Sequence, residues 1–578
     1  MVNLTIDGKA VQAPEGSTIL EAARSAGFHI PTLCYLKDLN EVGACRVCVV
    51  EVEGHERLVA SCNRLVEEGM VVNTNTVNVR KTRRMNIKML LSRHDCKCAT
   101  CIRNGNCQLQ SVAKTYGITD TGFDEHITHV DWPEDFPLIR NEAKCISCMR
   151  CIQVCDKIQS IDIWDLTRSG SYAHVDVAKN KDIKNSNCVL CGQCITHCPV
   201  GALHERDDTQ KILDAIDDPE ITTIVQIAPS IRTAWAEEFG VSREFATIKR
   251  MVAALRHAGF DYIINTDFSA DLTITEEASE FVDRFTRHDQ YTWPMFTSCC
   301  PGWVRFVKSQ YPEFVDNLST SKSPMEMFGA TVKTYYSEML GLDPKKVFSI
   351  AIMPCLAKKA EADYPSMSTI EGYQDVDAVL TNREAIRMVR AQNLVISELP
   401  EEEFDQPLGN GSGAGVIFGA TGGVMEAALR TASFYINGKN PAPDAFRDVR
   451  GLKGWKEATF HVNDSISVRV AVVSGLGNTR ALLEALKKGE VSYDFVEVMA
   501  CPGGCAGGGG QPIHEGEELA GERGQVLYGL DEKMDLRFSH ENPAIQRAYK
   551  EYFVKPLSSR AEAILHTDQR AWKMPNEK

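Results

Sequence analysis

The spacing of the cysteines constrains this chain more than any other feature of its sequence. The chain has 21 cysteines among 578 residues, and nearly all of them fall into short, regular groups. Two groups of four repeat the pattern C-x2-C-x2-C-x3-C, and a proline follows the second group. Such spacing is typical of thiolates that hold iron–sulfur clusters. We therefore predict that these groups bind metal clusters.

A disulfide framework is the alternative interpretation of so many cysteines, and it requires a secreted protein. The N-terminus MVNLTIDGKA has none of the features of a secretory leader, and no run of about 18 apolar residues is present. We therefore expect a cytoplasmic location, where thiols stay reduced. The length predicts several domains, and the net charge of −15 argues against nucleic acid as a main partner.

Residues 138–208 are predicted to form a domain like the bacterial ferredoxins that carry two [4Fe–4S] clusters. In that arrangement the fourth cysteine of each group binds the cluster of the other group, which ties the two halves together. The predicted ligands are Cys145, Cys148, Cys151, Cys155, Cys188, Cys191, Cys194 and Cys198.

Residues 1–78 are predicted to form a ferredoxin-like β-grasp domain with one [2Fe–2S] cluster. An early strand meets a hairpin signal at Asp7-Gly8, and Ser17 is expected to cap the short helix that follows. The predicted ligands, spaced C-x10-C-x2-C-x13-C, are Cys34, Cys45, Cys48 and Cys62. This spacing departs from the plant type and is similar to the start of the large iron–sulfur subunit of respiratory complex I. A zinc site is the alternative.

Residues 79–137 are predicted to form a small helical domain with a cluster of mixed ligation. Met85, Met89 and Leu90 lie at helical spacing, which predicts an apolar face. The basic residues of this helix are predicted to lie on a solvated or interdomain face, and a patch that docks a partner is the alternative. The predicted ligands, spaced H-x3-C-x2-C-x5-C, are His94, Cys98, Cys101 and Cys107. The neutral imidazole would fill the open corner of a cubane and raise its potential. Cys96 is expected to be a non-ligand thiol.

The remaining residues, 209–578, are predicted to form a large α/β domain. Apolar runs such as TTIVQIAP and VRVAVVSG alternate with helical segments, which is typical of largely parallel sheets. The strand ends, where α/β proteins place their active sites, carry Cys299, Cys300, Cys355, Cys501 and Cys505. A further cubane needs four thiolates, so one of the adjacent Cys299 and Cys300 is predicted to stay free for acid–base work.

Three long segments of this domain resemble the signature segments of the [FeFe]-hydrogenases. They are Thr297-Ser-Cys-Cys-Pro-Gly-Trp303, Met353-Pro-Cys-Leu-Ala-Lys-Lys-Ala-Glu361 and Glu497-Val-Met-Ala-Cys-Pro-Gly-Gly-Cys505. The order of modules is similar to that of the large family members with four accessory clusters. The resemblance covers the whole chain. It implies reversible reduction of protons to hydrogen at an H-cluster, a [4Fe–4S] cluster joined to a diiron azadithiolate subcluster with CO and cyanide ligands.

The resemblance implies a role for each residue around the H-cluster. The implied ligands of its [4Fe–4S] part are Cys300, Cys355, Cys501 and Cys505, the last of which would bridge to the two-iron subcluster. Cys299 would exchange protons with the bridge amine, and Lys358 would bind one cyanide. The other cyanide would be lined by Ala228, Pro229 and Ser230. The pocket walls would be formed by Met353, Phe418 and Met499.

The resemblance also implies a proton relay to the surface, which runs in the order Cys299, Glu277, Ser319, Glu280 and Arg284. Glu277 and Glu280 share one face of a predicted helix, and burial would raise their pKa values toward the working range. Spacing alone would instead predict a solvated helix face. The chain has two more residues between this helix and the FTSCC strand than the best-known family members.

One glycine-rich segment, residues 411–419, superficially resembles a dinucleotide-binding fingerprint. It lacks the third glycine in register and no strand precedes it, so we predict a close-packed turn under the metal site. No phosphate-binding loop is present in the sequence either. We therefore expect that this chain does not itself bind NAD or flavin.

The predicted function is that of a hydrogenase fed by one [2Fe–2S] and three accessory [4Fe–4S] clusters. The expected partners are ferredoxin, flavin- and NAD(P)-binding subunits of a hetero-oligomer, and the machinery that matures the two-iron subcluster. Two alternatives stay open: a non-catalytic iron–sulfur electron-transfer subunit, and a hydrogenase-like assembly or sensor protein. The three signature segments argue against the first, and the presence of Cys299 argues against the second.

Overall fold

The computed structural model describes residues 1–170, 173–514 and 517–575. The predicted catalytic domain runs to residue 578, so its last three residues lie outside the described part of the chain. Within that part, the strands form five sheets with helices packed around them. No helix in the described ranges has the length and apolar character needed to cross a membrane.

The N-terminal region is a five-stranded mixed sheet with one helix. Its elements are β1 (Val2–Ile6), β2 (Lys9–Ala13), α1 (Ile19–Ser25), β3 (Val49–Val52), β4 (Val59–Ala60) and β5 (Val71–Asn73), in the sheet order β2-β1-β5-β3-β4. The predicted hairpin turn forms at Asp7 and Gly8, which both have positive φ. Ser17 was wrongly predicted as the cap of α1. The cap is Thr18, because its hydroxyl accepts from the Glu21 backbone while the Glu21 carboxylate accepts from the Thr18 backbone.

The next region is largely helical. Its helices are α2 (Val77–Leu91) and α3 (Gln108–Thr115). The buried residues of α2 are Val79, Arg83 and Ile87. The predicted apolar face was wrong, because Met85 and Met89 are 49% and 55% exposed. The inward face is instead fixed by Arg83, whose guanidinium donates two hydrogen bonds to the Val49 carbonyl oxygen of the N-terminal sheet.

The two-cluster region consists of two similar halves. Its elements are β6 (Leu138–Arg140), α4 (Arg150–Gln153), β7 (Trp164–Thr167), β8 (His174–Val177), α5 (Gln193–Thr196) and β9 (Leu203–Glu205). Strand β6 pairs antiparallel with β9, and β7 pairs antiparallel with β8. Each short helix follows a residue with positive φ, Met149 in the first half and Gly192 in the second. The two halves therefore present their cysteines from equivalent backbone turns.

The largest region contains two four-stranded sheets. Its strands are β10 (Thr222–Ile227), β11 (Tyr262–Asn265), β12 (Met295–Phe296), β13 (Val347–Met353), β14 (Ala378–Thr381), β15 (Trp455–Asn463), β16 (Ile466–Ser474) and β17 (Phe495–Met499). The sheet β11-β10-β13-β14 is entirely parallel, and in β12-β17-β16-β15 only β15 is antiparallel. The predicted α/β domain with largely parallel sheets is confirmed.

Helices surround these sheets. They are α6 (Thr209–Asp217), α7 (Ile248–His257), α8 (Thr266–Thr286), α9 (Pro301–Gln310), α10 (Pro324–Thr331), α11 (Ser337–Leu340), α12 (Ala357–Glu361), α13 (Asn382–Ala391), α14 (Gly413–Ile417), α15 (Gly423–Asn437), α16 (Leu476–Lys487), α17 (Ala520–Lys533), α18 (Pro543–Ala548) and α19 (Ser559–Leu565). Helix α8 packs against α10, α14 and α15 and is buried along most of its length, although it carries several carboxylates. Buried carboxylates are costly unless they are paired or neutral, so this helix marks a site.

Candidate active site and metal-ligand groups

The first ligand group lies in the loops of the N-terminal sheet. All 21 cysteines of the chain are free thiols, so the disulfide framework is absent. The buried members of this group are Cys34, Cys45, Cys48 and Cys62. The thiol of Cys34 lies within hydrogen-bonding reach of Cys45 and Cys62, and the thiol of Cys48 lies within reach of Cys62. Four thiols gathered in one buried site fit a [2Fe–2S] cluster.

The second group surrounds His94, which is buried after the end of α2. Its Nδ1 lies 3.0 Å from the Lys144 carbonyl oxygen, which leaves Nε2 available as a ligand. Burial and the Lys144 ammonium lower the pKa of His94 to about 4, so the ring is neutral, as metal binding requires. The thiols of this group are the half-buried Cys98 and Cys101 and the buried Cys107. Cys96 is exposed, and its sulfur contacts the His94 carbonyl oxygen at 3.2 Å.

The eight cysteines of the two-cluster region separate into two sets with exchanged fourth members. The set that lines one cavity is Cys145, Cys148, Cys151 and Cys198. The other set of neighbouring thiols is Cys155, Cys188, Cys191 and Cys194. Burial, and then the charges of neighbouring thiols, raise the pKa of Cys191 and Cys194 and so disfavour their thiolate forms. Bound iron would stabilise these thiolates.

Hydrogen bonds connect both outer groups to the same cubane set. The Asn40 side chain donates to the carbonyl oxygens of Cys34 and Cys148, at 2.7 and 2.8 Å. Arg103, which lies between Cys101 and Cys107 in the sequence, donates to the Cys198 carbonyl oxygen at 3.0 Å. The first and second groups therefore converge on the set that contains Cys148 and Cys198.

The other cubane set meets the catalytic region across a close backbone contact. The sulfur of Cys501 lies 3.6 Å from the Cys191 carbonyl oxygen. A Cβ added to Gly192 would lie 2.9 Å from the Gly509 Cα, and one added to Gly509 would lie 2.3 Å from the Cys191 carbonyl oxygen. Only glycine fits on either side of this joint.

A cavity of about 70 Å³ lies where β10, β12, β13 and β17 end. The predicted site residues that line it are Ala228, Pro229, Ser230, Cys299, Cys300, Met353, Cys355, Lys358, Phe418, Met499 and Cys505. Cys501 does not line the cavity but has Cys300, Cys355 and Cys505 as neighbours. Most of the wall is apolar, so a group held here would be shielded from water.

The adjacent cysteines at the end of β12 have different surroundings. Cys300 accepts a hydrogen bond from the Ala500 backbone at 3.4 Å, and its neighbouring thiols are Cys355, Cys501 and Cys505. Cys299 is buried near Glu277, and burial together with that carboxylate raises the pKa of Cys299 well above its ordinary value. The structure thus groups four thiols and leaves Cys299 as a protonated thiol beside a carboxyl group.

Lys358 brings a buried cation to the cavity. Its Nζ donates to Glu361 at 2.6 Å and to the Cys299 carbonyl oxygen at 3.3 Å. Burial disfavours this charge, but Glu361, together with Cys355 and Glu326, outweighs burial and raises the pKa of Lys358. Ser323 donates to the same carboxylate at 3.0 Å. Glu361 was not among the site residues predicted from the sequence, although its spacing of three residues from Lys358 on one helix was a usable signal.

The predicted relay residues lie together beside Cys299. The Ser319 hydroxyl donates to Glu280 at 2.7 Å, and the Arg284 guanidinium donates to Glu280 and to the Leu318 carbonyl oxygen. Glu277 is fully buried, and neither of its oxygens has a hydrogen-bond partner. Burial, and then the Glu280 charge, raise the pKa of Glu277 to about 8. At neutral pH this carboxyl group is therefore mostly protonated.

One residue beyond the predicted relay, Thr320, also contacts Glu280, and His566 contacts Thr320 in turn. Thr320 donates its backbone N–H at 3.1 Å and its hydroxyl at 3.2 Å to that carboxylate. His566 Nδ1 lies 2.8 Å from the Thr320 hydroxyl. Neither residue was predicted from the sequence. His566 has no local signal, because it lies 246 residues beyond Thr320 in the chain.

The glycine-rich segment of residues 411–419 packs closely beside the cavity, but as a short helix and not as the predicted turn. It contains the short helix α14, and Ser412 caps that helix. A Cβ added to Gly415 would lie 2.6 Å from the Asp267 carbonyl oxygen of α8. A Cβ added to Gly419 would lie 3.0 Å from the Ser230 Cβ. These glycines allow close packing beside the cavity wall.

Family models match almost the whole chain, in the order of the regions described above. The matches are the 2Fe-2S iron-sulfur cluster binding domain (1–77), the NADH-ubiquinone oxidoreductase-G iron-sulfur binding region (83–121), the 4Fe-4S dicluster domain (144–202), the Iron only hydrogenase large subunit, C-terminal domain (221–509) and the Iron hydrogenase small subunit (517–570).

Curated relatives match over similar lengths. NADP-reducing hydrogenase subunit HndD of Solidesulfovibrio fructosivorans is 45% identical over 98% of each chain. Iron hydrogenase 1 of Clostridium pasteurianum is 40% identical over 98% of this chain and 99% of its own. Cytosolic iron-sulfur assembly component 3 of Mus musculus is 28% identical over 74% of this chain and 94% of its own.

A solved structure matches the catalytic region. It is the HydA(deltaEFG) structure that describes stepwise [FeFe]-hydrogenase H-cluster assembly, and it aligns with a TM-score of 0.56 and 39% identity. The alignment covers 64% of this chain and 99% of that one. The fold and the site thus define an iron–sulfur oxidoreductase that acts on hydrogen. The chain belongs to the [FeFe]-hydrogenases, with 2Fe-2S and 4Fe-4S ferredoxin-like domains ahead of its catalytic domain.

Proposed function

We propose that this chain catalyses 2H⁺ + 2e⁻ ⇌ H₂ at an H-cluster held in the cavity described above. The observation that carries the proposal is the meeting of a free thiol, a buried cation and four grouped thiols around one apolar cavity. The proposed ligands are Cys300, Cys355, Cys501 and Cys505. When bound, the cluster supplies the redox chemistry that makes and breaks the bond between the two hydrogen atoms.

The residues around the cavity fit such a group. Lys358 is a compact cation suited to an anionic cyanide ligand. The small or apolar residues that would pack against the rest of the group are Ala228, Pro229, Ser230, Met353, Phe418 and Met499. Methionine is soft and adaptable, which suits a wall around a metal centre. This lining would exclude water and so strengthen electrostatic interactions inside the cavity.

We propose that Cys299 and the α8 carboxylates carry protons. Cys299 stays protonated, because burial and Glu277 raise its pKa, and it would hold the exchangeable proton nearest the cavity. Glu277 is poised to take and return a proton, because its pKa of about 8 lies close to neutral pH. Ser319 would pass that proton to Glu280, which Arg284 orients by a charged hydrogen bond.

We propose that the other ligand groups form the electron path. The ligand groups would hold one [2Fe–2S] cluster in residues 1–78, a His/Cys3 [4Fe–4S] cluster in residues 79–137 and two [4Fe–4S] clusters in residues 138–208. The catalytic domain then comprises residues 209–578. The contact between Cys501 and Cys191 supports electron entry to the H-cluster from the set that includes Cys191.

We propose that the physiological electron partners include NAD(P)-linked flavin subunits. The relative HndD is named as a subunit of an NADP-reducing hydrogenase, and residues 83–121 match an iron–sulfur region of an NADH oxidoreductase subunit. Ferredoxin is a second proposed partner, and dedicated maturation proteins would insert the two-iron unit. A cytoplasmic location fits a chain with 21 free thiols.

The alternatives from the sequence analysis are not favoured. A pure electron-transfer subunit would have no use for a free thiol beside a buried carboxyl group and a buried lysine. The name of the relative Cytosolic iron-sulfur assembly component 3 indicates an assembly role. That relative is only 28% identical to this chain, whereas the two hydrogenases are 45% and 40% identical.

Hydrogen evolution from reduced viologen tests the proposed function. The iron–sulfur clusters would be reconstituted and a synthetic azadithiolate diiron complex added. We expect strong evolution that collapses in Cys299→Ala. Cys96→Ala removes an exposed thiol outside the cavity and is the matched control, which should keep full activity. The proposal fails if the verified holoprotein makes no hydrogen while a known hydrogenase is activated in parallel.

A further inference from the structure

The outer side of α2 carries large apolar side chains that are about half exposed to solvent. Val77, Met85 and Met89 are 59%, 49% and 55% exposed. Residues four and eight positions apart lie on the same side of a helix, so these three form one stripe. Burial of such side chains is favourable, and methionine is enriched at protein interfaces. The stripe therefore has the composition of a contact surface.

Basic side chains border this stripe on the same side of the helix. Residues 69–94 contain six Lys or Arg residues and no Asp or Glu, although the whole chain has 78 acidic and 63 basic residues. Arg83 is buried, and Lys88 pairs with Asp120 at 3.1 Å. A surface with one sign of charge attracts molecules of the opposite sign and speeds their association. The α2 face is the exposed surface formed by Val77, Arg80, Lys81, Arg84, Met85 and Met89.

The opposite side of α2 is hydrogen-bonded to the loop that holds the first ligand group. Arg83 donates to the Val49 carbonyl oxygen at 3.1 and 2.7 Å, and Asn86 donates to the Arg46 carbonyl oxygen at 2.7 Å. Each of these carbonyl groups belongs to the residue that directly follows a proposed ligand thiol. The C-terminal end of α2 leads within three residues to His94, the proposed histidine ligand of the second group.

This placement puts the α2 face close to both outer ligand groups. An α-helix with its side chains is about 10 Å in diameter, so a molecule on the α2 face would lie about that far from the first ligand loop. The buried side of the helix supplies the hydrogen bonds to that loop, and the exposed side is left for a partner. The α2 face is therefore well placed for electron exchange.

We propose that the α2 face is the docking surface for a small acidic iron–sulfur protein of the ferredoxin class. Acidic groups of this carrier meet Arg80, Lys81 and Arg84, and its apolar centre covers Met85 and Met89. The carrier gives one electron at a time to an outer cluster, so the carrier is oxidised and the cluster is reduced, and no bond is made or broken. This inference rests on the proposed function, because it names the surface at which the proposed ferredoxin partner binds.

The size of the α2 face favours a transient carrier over a permanent subunit. Weak electron-transfer complexes bury less than about 1,200 Å², whereas many permanent interfaces bury more than about 2,000 Å² and are more apolar. One side of a 15-residue helix, with three apolar side chains in a basic border, matches the smaller class. Charge complementarity then sets the rate of encounter more than the strength of binding.

Hydrogen evolution by the holoenzyme tests this surface with two electron donors, a reduced acidic ferredoxin that carries two [4Fe–4S] clusters and reduced methyl viologen. The double variants Met85→Asp with Met89→Asp, and Arg80→Glu with Lys81→Glu, should each lower the ratio of ferredoxin-driven to viologen-driven evolution at least about tenfold. The ratio should fall because the small dye needs no docking surface. In the charge variant the ferredoxin-driven rate should also depend less on ionic strength.

Control variants separate docking from damage to the fold. Met85→Leu with Met89→Leu keeps the apolar stripe and should keep the ratio. Leu213→Asp alters a side chain that is 42% exposed on α6, and Lys439→Glu alters an exposed cation just beyond α15. Both lie in the catalytic region, away from the outer ligand groups in the chain, and should keep the ratio.

A binding measurement does not depend on turnover. Isothermal titration calorimetry follows the oxidised ferredoxin as it binds the chain loaded with iron–sulfur clusters but without the two-iron unit. The Kd should be at least about tenfold higher in the two double variants of the α2 face than in Leu213→Asp and Lys439→Glu.

The inference is overturned if the α2-face variants match these controls in both measurements. It is also overturned if sedimentation shows a dimer of the unaltered chain that the α2-face variants dissociate, because a second copy would then occupy the face. Failure of the proposed function would instead abolish viologen-driven evolution in the unaltered chain and leave the calorimetric difference intact.

Discussion

At the scale of single residues, two glutamates on one face of α8 have opposite surroundings. Glu280 is surrounded by donors from Ser319, Thr320 and Arg284. Glu277 is fully buried, and burial together with the Glu280 charge raises its pKa to about 8, against the opposing effect of Ser319 and the Ser298 backbone. An ionised carboxylate is disfavoured there, whereas a neutral carboxyl group can accept and release a proton. The burial of Glu277 beside Glu280 is thus what makes it useful.

Glu277→Gln should lower hydrogen evolution by at least about a hundredfold, because an amide of the same shape cannot carry a proton. Rates measured with reduced viologen in the reconstituted holoenzyme check this. Glu313→Gln alters an exposed carboxylate in an ion pair with Lys487 and should leave the rate unchanged. Equal rates in Glu277→Gln and the unaltered chain would remove Glu277 from the relay.

The same variant should change how stability depends on pH. In the folded chain the Glu277 carboxyl holds its proton up to about pH 8, whereas in the unfolded chain it ionises near its ordinary pKa of 4.5. The folded state is therefore increasingly penalised as pH rises between these values, by on the order of a few kcal/mol. The thermal stability of Glu277→Gln, relative to that of the unaltered chain, should therefore be greater at about pH 8 than at about pH 6. A gain that is equal at both pH values would contradict the raised pKa.

Glu361→Ala should destabilise the chain by about 3–5 kcal/mol, because it leaves the buried Lys358 ammonium without its carboxylate. Denaturant unfolding of the iron–sulfur-loaded protein measures this. Glu313→Ala breaks the exposed pair with Lys487 and should cost less than about 1 kcal/mol. Similar losses in the two variants would mean that Glu361 is not needed to hold the lysine.

At the scale of elements, the site depends on where helices and strand ends approach one another. Helix α8 supplies both carboxylates, and the glycine-rich segment of residues 411–419 packs against its first turn. The sequence predicted the short helix of the first region and the shared face of the two glutamates, because each is a local pattern, but it predicted a turn where the glycine-rich segment forms the short helix α14. It misjudged Met85 and Met89, since the burial of Arg83 depends on a carbonyl oxygen of the distant N-terminal sheet.

Gly415→Ala should destabilise the chain by about 1–3 kcal/mol and lower activity, because the new methyl group would push α14 away from the Asp267 carbonyl oxygen. Thermal unfolding and hydrogen evolution are the two measurements. In Gly529→Ala, in α17, the added Cβ would have no neighbouring atom within 4 Å outside the helix backbone, so the change should stabilise the helix by up to about 1 kcal/mol. A neutral Gly415→Ala would show that this packing does not support the cavity.

At the scale of the whole molecule, the ligand groups form a branched arrangement. The first and second groups both contact the set with Cys148 and Cys198, and the other set contacts the ligand thiol Cys501 of the catalytic region. The proposed ligand groups could all be derived from the sequence, because cysteine spacing is local and regular. It could not predict the branching or the place of His566, because both depend on contacts between segments far apart in the chain.

Cys48→Ala and Cys148→Ala should therefore have different effects. Loss of the N-terminal cluster removes one branch, so Cys48→Ala should lose its [2Fe–2S] electron paramagnetic resonance signal and keep most of its viologen-driven hydrogen evolution. Cys148→Ala interrupts the point where the branches meet and should abolish most of the evolution. The same loss in both variants would indicate a single unbranched path.

The glycine joint between the two-cluster region and the catalytic region has a mechanical consequence. Gly192 and Gly509 touch backbone to backbone, and no flexible side chain separates the two regions there. Electron transfer at this point therefore requires no movement of one region relative to the other. We therefore expect control over electron supply to act where partners reach the outer clusters.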